Sequence, residues 1–389
     1  MGTGAPLIYL IVGEPSGDAI GARLIAALNE LSGGTVELTG LGGEAMEVAG
    51  FESLFPIQEL SVMGLVEVLP HARRILRRIN EVAEDVALKR PDLIVTIDSP
   101  SFSARVAKRV AHLDIPKVHY VAPTVWAWRA GRVHKFKRYF DHLMAILPFE
   151  LSYFEIAGLP CTFVGHPVLE YGADKGDGER FRRRHNLPAA IPLICALPGS
   201  RRGEVGRHID IFGKTLEILG SRGQDYNVVI PTLSHLTEFV GKATVGWPIS
   251  PVILDRPDEK YDAMAASTVS VAASGTVALE TAIARVPTVI AYKVNRITGF
   301  LVRRLIRVDF VNILNILADR EIVPECLQEK CSAEDLAAWL TDLMGEGGDK
   351  QIANLAPYIA QLGNGTEIPS MAAARYLLSD VLKINGGSR

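Results

Sequence analysis

At 389 residues the chain is long enough for two α/β domains. Apolar residues make up 48% and charged ones 22%, which supplies a full core and excludes disorder. A net charge of −3 excludes a general nucleic-acid binder working through a basic surface, and four cysteines (Cys161, Cys195, Cys326, Cys331) without a CxxC pair fit a reduced, cytoplasmic setting.

The start, MGTGAPLIYLIVGEPSGD, lacks the basic region of a signal peptide and runs directly into a strand and glycine turn. No apolar stretch reaches the ~20 residues of a membrane span. Leu7 to Val12 is a short apolar run suited to a buried parallel strand. Gly13 to Asp18 (GEPSGD) reads as a turn, and Ala19 to Leu31 as the helix after it. Further strands are predicted at Leu93–Ile97, Lys117–Val121 and Leu143–Leu147, with helices at His71–Lys89 and Ser103–Ala111. Strand alternating with helix means parallel βαβ units. The stretch GHPVLEYGADKGDG from Gly165 then breaks the pattern as an interdomain linker would. A second series follows, with strands at Leu193–Leu197, Asn227–Pro231, Val252–Leu254, Thr268–Ala272 and Val289–Tyr292. The expected architecture is therefore α/β, two doubly wound Rossmann-like domains facing a cleft, with ligands beyond the carboxyl ends of the strands.

Several loops at those strand ends carry chemistry. GEPSGD opens a helix whose N–H groups favour anions, although it is neither GxGxxG nor a Walker loop, and Ser16 or Asp18 could equally be a helix cap. In PGSRRGEV (Pro198 to Val205), Ser200 and the backbone amides can grip a phosphate and Arg201 can add a bidentate contact. In SGTVALE, Ser274, Gly275 and Thr276 let backbone approach a ligand, and the Glu280 carboxylate suits two sugar hydroxyls. Either loop alone could be a capped helix start; the pair in one domain points to a nucleoside diphosphate. Asp98, in IDSPSF, ends a strand just before Pro100, where a turn-forming Asp and a general base are equally natural. The nine histidines show no HxxxH or HExxH spacing, so no metal and no cofactor are expected.

Three stretches mix apolar and basic residues. One holds Val62, Met63, Leu65, Val66 and Leu69 before Arg73, Arg74, Arg77 and Arg78. Another, HYVAPTVWAWRAGRVHKFKRYFD, places Trp126 and Trp128 beside Arg129, Arg132, Lys135, Lys137 and Arg138. The third, KVNRITGFLVRRLIRVDF, combines Phe300, Leu301, Val302, Leu305 and Ile306 with Lys293, Arg296, Arg303, Arg304 and Arg307. Each alone would pass for an amphipathic core helix; three in an acidic chain point to an anionic membrane face.

Taken in order, GEPSGDAIGA, GLGG, ELSVMGLVEVLP, IDSPSF, HYVAPTVWAWR, LPFE, VGHPV, LPGSRRGEV, ASGTVALE and NILADREIVPE resemble the lipid-A-disaccharide synthase family over nearly the whole chain. The resemblance implies a GT-B fold, with residues 1–170 as the acceptor and membrane-facing domain and 171–354 as the UDP-sugar domain. A C-terminal helix, about 355–389, is then free to pack back on the first domain. It implies an inverting hexosyltransferase of Gram-negative lipid A and lipopolysaccharide biosynthesis. The reaction implied joins UDP-2,3-diacylglucosamine to 2,3-diacylglucosamine 1-phosphate through a β-1,6 linkage and releases UDP.

On matching positions, Asp98 becomes the base on the acceptor 6-hydroxyl. Ser200, Arg201, Ser274, Gly275, Thr276 and Glu280 line the UDP pocket, Asn315 reaches its nucleotide side, and Ser16 and Asp18 face the sugar or diphosphate. Partners implied are the UDP-sugar donor, the lipid acceptor and the anionic cytoplasmic face of the inner membrane, with no nucleic acid; a homodimer is compatible on family grounds. The alternatives are another UDP-sugar enzyme of the same fold (the lipid II N-acetylglucosaminyltransferase or a UDP-N-acetylglucosamine 2-epimerase) and a non-catalytic, membrane-docked nucleotide-sugar sensor.

Overall fold

The computed structural model describes residues 4–60, 65–127, 131–293 and 309–384, apart from the side chains of 65–72 and 257. The chain forms two compact units, one of Met1–Pro167 with Leu362–Arg389 and the other of Val168–Gln361.

In the first unit, six parallel strands lie in the order β2-β1-β3-β4-β5-β6. They are β1 (Leu7–Val12), β2 (Glu37–Leu41), β3 (Leu93–Ile97), β4 (Lys117–Tyr120), β5 (His142–Ala145) and β6 (Cys161–Phe163). Alternation along β1 feeds two cores. Ile8, Leu10 and Val12 join Leu24 and Leu28 of helix Pro15–Ser32, while Tyr9 and Ile11 join Val82 and Val86 of helix Leu65–Lys89. With both faces covered, the strand must be apolar throughout, as LIYLIV is. The C-terminal segment belongs to this unit because helix Pro369–Tyr376 buries Ala372, Ala373 and Ala374 in the same core. The Tyr376 ring stacks on His142 at 4.4 Å.

The second unit has its own six-stranded parallel sheet, ordered β12-β11-β10-β7-β8-β9. Its strands are β7 (Leu193–Leu197), β8 (Asn227–Pro231), β9 (Val252–Leu254), β10 (Val269–Ala272), β11 (Thr288–Tyr292) and β12 (Glu325–Leu327). Helix Arg202–Ser221 covers one face with Val205, Ile209, Phe212, Leu216 and Leu219, a helical stripe. Strand order reverses between β1 and β3 in the first unit and between β7 and β10 in the second. These switch points are where doubly wound sheets bind ligands.

Three local features differ from the sequence reading. Strands β2, β6 and β12 were not foreseen; all three are edge strands of three to five residues, fixed by pairing to a longer neighbour. The first helix starts at Pro15 rather than Ala19, because proline at the first helical position is already set to helical φ. The stretch from Gly165 does contain the boundary between the units, at Pro167–Val168, but it is structured rather than free: it holds the short turns Pro167–Glu170 and Ala173–Lys175, and Asp262 accepts the Asp177 N–H at 2.7 Å. No described helix is long and apolar enough to cross a membrane.

Candidate active site

At the first switch point Val12 pairs with Ile97, so the turns after β1 and β3 leave the sheet side by side. There Ser16 Oγ donates to Asp98 Oδ2 at 2.6 Å, and the Ser99 N–H donates to Oδ1 at 2.7 Å. The fit needs glycine at position 17, where a Cβ would stand 3.0 Å from the Ile97 carbonyl oxygen and 3.2 Å from Asp98 Cβ. Asp98 and Ser99 both occupy the left-handed region, at φ of 55° and 46°. Val121, just past β4, does too at 72°, a rare state for a β-branched residue. The Asp98 strain is held by its N–H bonding to Tyr120 O at 2.9 Å and by Ser103 Oγ donating to its carbonyl at 2.9 Å. Strained residues clustered at the carboxyl ends of two adjacent strands are a common feature of functional surfaces.

Asp18 departs from the sequence reading. Its carboxylate accepts N–H bonds from Gly43 and Ala45 at 2.9 Å and Met46 at 3.1 Å, and the residue is 6% exposed. It holds the first N–H groups of the neighbouring short helix Glu44–Val48, and its oxygens are committed to backbone rather than turned to a ligand.

The loop after β4 is anchored by Glu150, which the sequence reading passed over. Its Oε1 accepts the indole N–H of Trp126 at 3.2 Å, and Oε2 accepts Ile146 and Leu147 N–H groups at 3.2 and 3.1 Å. Burial pushes the Glu150 carboxyl up to about 7, opposed by these three donors. Trp126 is thus half-buried, edge-on to Phe149 at 5.2 Å, with its polar tip turned inward; this fits an anchor of the loop better than a side chain dipping into lipid. Met63, Trp128, Phe300, Leu301, Arg303, Arg304 and Arg307, and the side chains of Leu65 and Val66, lie outside the described residues. Arg78 is engaged, paired with Glu59 at 2.5 Å and Glu81 at 2.6 Å and lying over the Phe55 ring.

At the second switch point Leu197 pairs with Ala272, which sets the loops Pro198–Arg201 and Ala273–Thr276 next to each other. Gly199 has φ 126°, and a Cβ there would overlap the Glu204 carboxylate, which accepts the Ser200 N–H at 3.0 Å. Ser200 and Arg201 are exposed; the Arg201 carbonyl accepts the Glu204 and Val205 N–H groups at 2.9 Å, while its guanidinium has no hydrogen bond or ion pair among the described residues. Ser274 is half-buried, while Gly275 (φ 148°) and Thr276 are exposed at the start of helix Val277–Ile283. One turn in, Glu280 is buried and ion-paired with Lys260, a partner the sequence did not reveal.

Asn315 is the second departure. It is 0% exposed, donates to Val323 O and Glu325 Oε1 at 2.8 and 2.9 Å, and accepts from the Ile322 and Val323 N–H groups. All four of its hydrogen-bonding positions are taken by Ile322, Val323 and Glu325, so it shapes the approach to β12 and the strand's first residue from inside rather than reaching a nucleotide.

Chemically, the first unit presents a rigid carboxylate able to take a proton. The second presents two glycine loops, an exposed guanidinium and a buried carboxylate, a set suited to a sugar nucleotide.

The lipid-A-disaccharide synthetase family matches residues 8–367. The lipid-A-disaccharide synthase of Rhodospirillum centenum is 49% identical over 97% of this chain and 95% of that protein. That of Paramagnetospirillum magneticum is 45% identical over 95% and 96%. Among solved structures, UDP-GlcNAc 2-epimerase from Neisseria meningitidis bound to UDP-GlcNAc has a TM-score of 0.61 at 12% identity, covering 98% of this chain and 100% of that one. The calicheamicin glycosyltransferase CalG4 has a TM-score of 0.62 at 12% identity, covering 98% and 99%. Those two likenesses establish the GT-B fold alone, whereas the matches along the whole sequence establish the family: the chain belongs to the lipid-A-disaccharide synthases.

Proposed function

We propose that the chain transfers a 2,3-diacylglucosamine unit from its UDP donor to 2,3-diacylglucosamine 1-phosphate, with inversion, forming the β-1,6-linked disaccharide 1-phosphate. The observation that carries this reading is Asp98, a strand-end carboxylate clamped by Ser16 and Ser99 at a switch point. In the reaction the acceptor 6-hydroxyl oxygen bonds to the donor's anomeric carbon as the bond from that carbon to the UDP oxygen breaks. The hydroxyl proton passes to Asp98, and the leaving electron pair stays on UDP. UDP then needs positive charge and oriented amides rather than a proton. The loops bearing Ser200, Arg201, Ser274, Gly275 and Thr276 are assigned to its diphosphate, and Glu280 to its ribose. Asp18 is assigned to holding the start of helix Glu44–Val48 and Asn315 to shaping the approach to β12.

The acyl chains of both substrates place the reaction at a membrane, here assigned to the cytoplasmic face of the inner membrane. A cationic cluster supports this: Lys135 has its pKa lowered by partial burial and by Arg105, Arg132 and Lys108 nearby. Such a cluster favours anionic headgroups. The test is a product assay with UDP-2,3-diacylglucosamine and 2,3-diacylglucosamine 1-phosphate. A β-1,6 disaccharide 1-phosphate supports the reading; an α product or mere epimerisation of the donor refutes it.

A further inference from the structure

His208, on helix Arg202–Ser221, carries no motif, yet it is 0% exposed and bonded on both ring nitrogens. Nδ1 lies 2.9 Å from the Pro198 carbonyl oxygen, and Nε2 accepts the Lys293 N–H at 3.0 Å. A carbonyl only accepts and a backbone N–H only donates, so the two partners select the neutral ring with its proton on Nδ1. Burial acts in the same direction, lowering the pKa of the imidazole.

The two tethered groups lie on strands that are not neighbours. Pro198 follows β7 and Lys293 follows β11, and between them runs β10, which leads into Ser274–Thr276. Two strand spacings amount to about 9.5 Å, and an imidazole with a hydrogen bond at each end covers most of that distance. Arg207, the preceding residue, donates from Nε to the Lys293 carbonyl at 2.9 Å. One turn of one helix therefore holds the exits of the two strands that flank β10. Phe212 and Tyr292 pack beside the ring, at centroid distances of 6.1 and 6.2 Å.

We propose that His208 is a positioning residue for the diphosphate. By locking the Pro198 carbonyl to the Lys293 amide, its ring fixes the Gly199–Arg201 backbone and the rim of the Ser274–Thr276 loop before the nucleotide arrives. Loops fixed in advance spare the ligand the entropy of ordering them. The inference rests on the reading that Pro198–Arg201 receives the diphosphate.

The experiment compares UDP with uridine, which lacks the phosphates, by calorimetry and ligand-observed NMR on the full chain. His208→Phe keeps an aromatic ring and removes both bonds; its UDP Kd should rise about tenfold, the scale of one lost buried hydrogen bond, while uridine stays within about twofold. His208→Asn retains a donor at the δ position for Pro198 but not the acceptor for Lys293, and should recover part of the UDP affinity. Should the Phe variant fail to fold, His208→Gln, which keeps a polar side chain but moves its donor away from the δ position, takes its place. Equal weakening of UDP and uridine, unchanged UDP affinity in a folded Phe or Gln variant, or no recovery with Asn would each overturn the proposal. Arg201→Ala tests the underlying reading separately. If it leaves the UDP-to-uridine affinity ratio unchanged, the loop does not hold phosphate; if it lowers that ratio while His208 variants do not, only the positioning role fails.

Discussion

Asp98→Asn removes the proposed base with little disturbance to its turn. The amide offers an oxygen for the Ser99 N–H and a donor for Ser16 Oγ, so the contacts now at 2.7 and 2.6 Å both have a replacement. Asn also tolerates the left-handed backbone that φ 55° demands. Fold stability should fall by no more than about 1 kcal/mol, the scale of one exchanged hydrogen bond. Turnover is different, because an amide takes no proton from the acceptor hydroxyl. Loss of a general base costs about 10²–10⁴ in rate, or about 3–5 kcal/mol of barrier. Ser16→Ala leaves the carboxylate and removes one bond that orients it, so its kcat should drop only about tenfold. Product formation under saturating substrates gives kcat, calorimetry gives UDP affinity, and a thermal melt monitors the fold. An Asp98→Asn enzyme that keeps turnover within about threefold of the parent while binding UDP normally removes Asp98 from the mechanism. A Ser16→Ala loss larger than the Asp98→Asn loss would shift the role to the serine hydroxyl.

Arg201→Ala should weaken UDP binding by about 1.5–3 kcal/mol, the range for a hydrogen bond to a charged group, and unchanged calorimetric affinity would leave PGSRRGEV a plain helix start. Asp18→Ala strands three N–H groups, two of them buried, and should cost about 2–4 kcal/mol in a urea melt; a stable variant with lost UDP affinity would return Asp18 to the ligand. Glu150 has its folded pKa raised from 4.5 to about 7, so the folded protein holds the extra proton in that window and loses up to about 3 kcal/mol of stability as pH rises through it. Glu150→Gln should flatten that slope in melts at pH 5 and pH 7.5, and an identical slope would show that the carboxyl titrates normally. The chain should co-sediment with anionic vesicles and release with salt, and further when Arg303, Arg304 and Arg307 become Ser; equal binding to neutral vesicles would refute the electrostatic contribution, worth about 1 kcal/mol per cation.

The sheets were legible wherever a strand is buried on both faces, because such a strand has to be apolar along its whole length. LIYLIV, LIVTI and LICAL all satisfy that condition and were read with the bounds the structure gives. ELTGL, CTF and ECL lie at sheet edges, where one neighbour supplies the hydrogen bonds and composition is free to vary, so nothing in them announces a strand. The loops after β1, β3, β7 and β10 were legible for a related reason. A tight turn between buried elements needs glycine, and Gly17 and Gly199 stand where a Cβ would meet backbone or the Glu204 carboxylate.

What a polar side chain does once the chain is folded was not legible, and Asp18 and Asn315 give the reason. Sequence supplies a carboxylate two residues from Ser16 and an amide in the stretch VNILNIL, both chemically fit for a ligand. Whether their lone pairs remain available depends on amides far along the chain, such as Gly43 for Asp18, and those meet only when β2 has paired with β1. The same dependence hid the residues that act inward. His208 looks like one more member of an amphipathic helix until β7 and β11 are seen on either side of β10, and Glu150 looks like a surface acid until Trp126 closes over it. A buried polar group must be paired, so its function is set by its partners rather than by its own type. Strand-end residues such as Asp98 and Arg201 are the ones on which the proposed function rests, because the carboxyl ends of parallel strands at a switch point are where doubly wound sheets bind ligands.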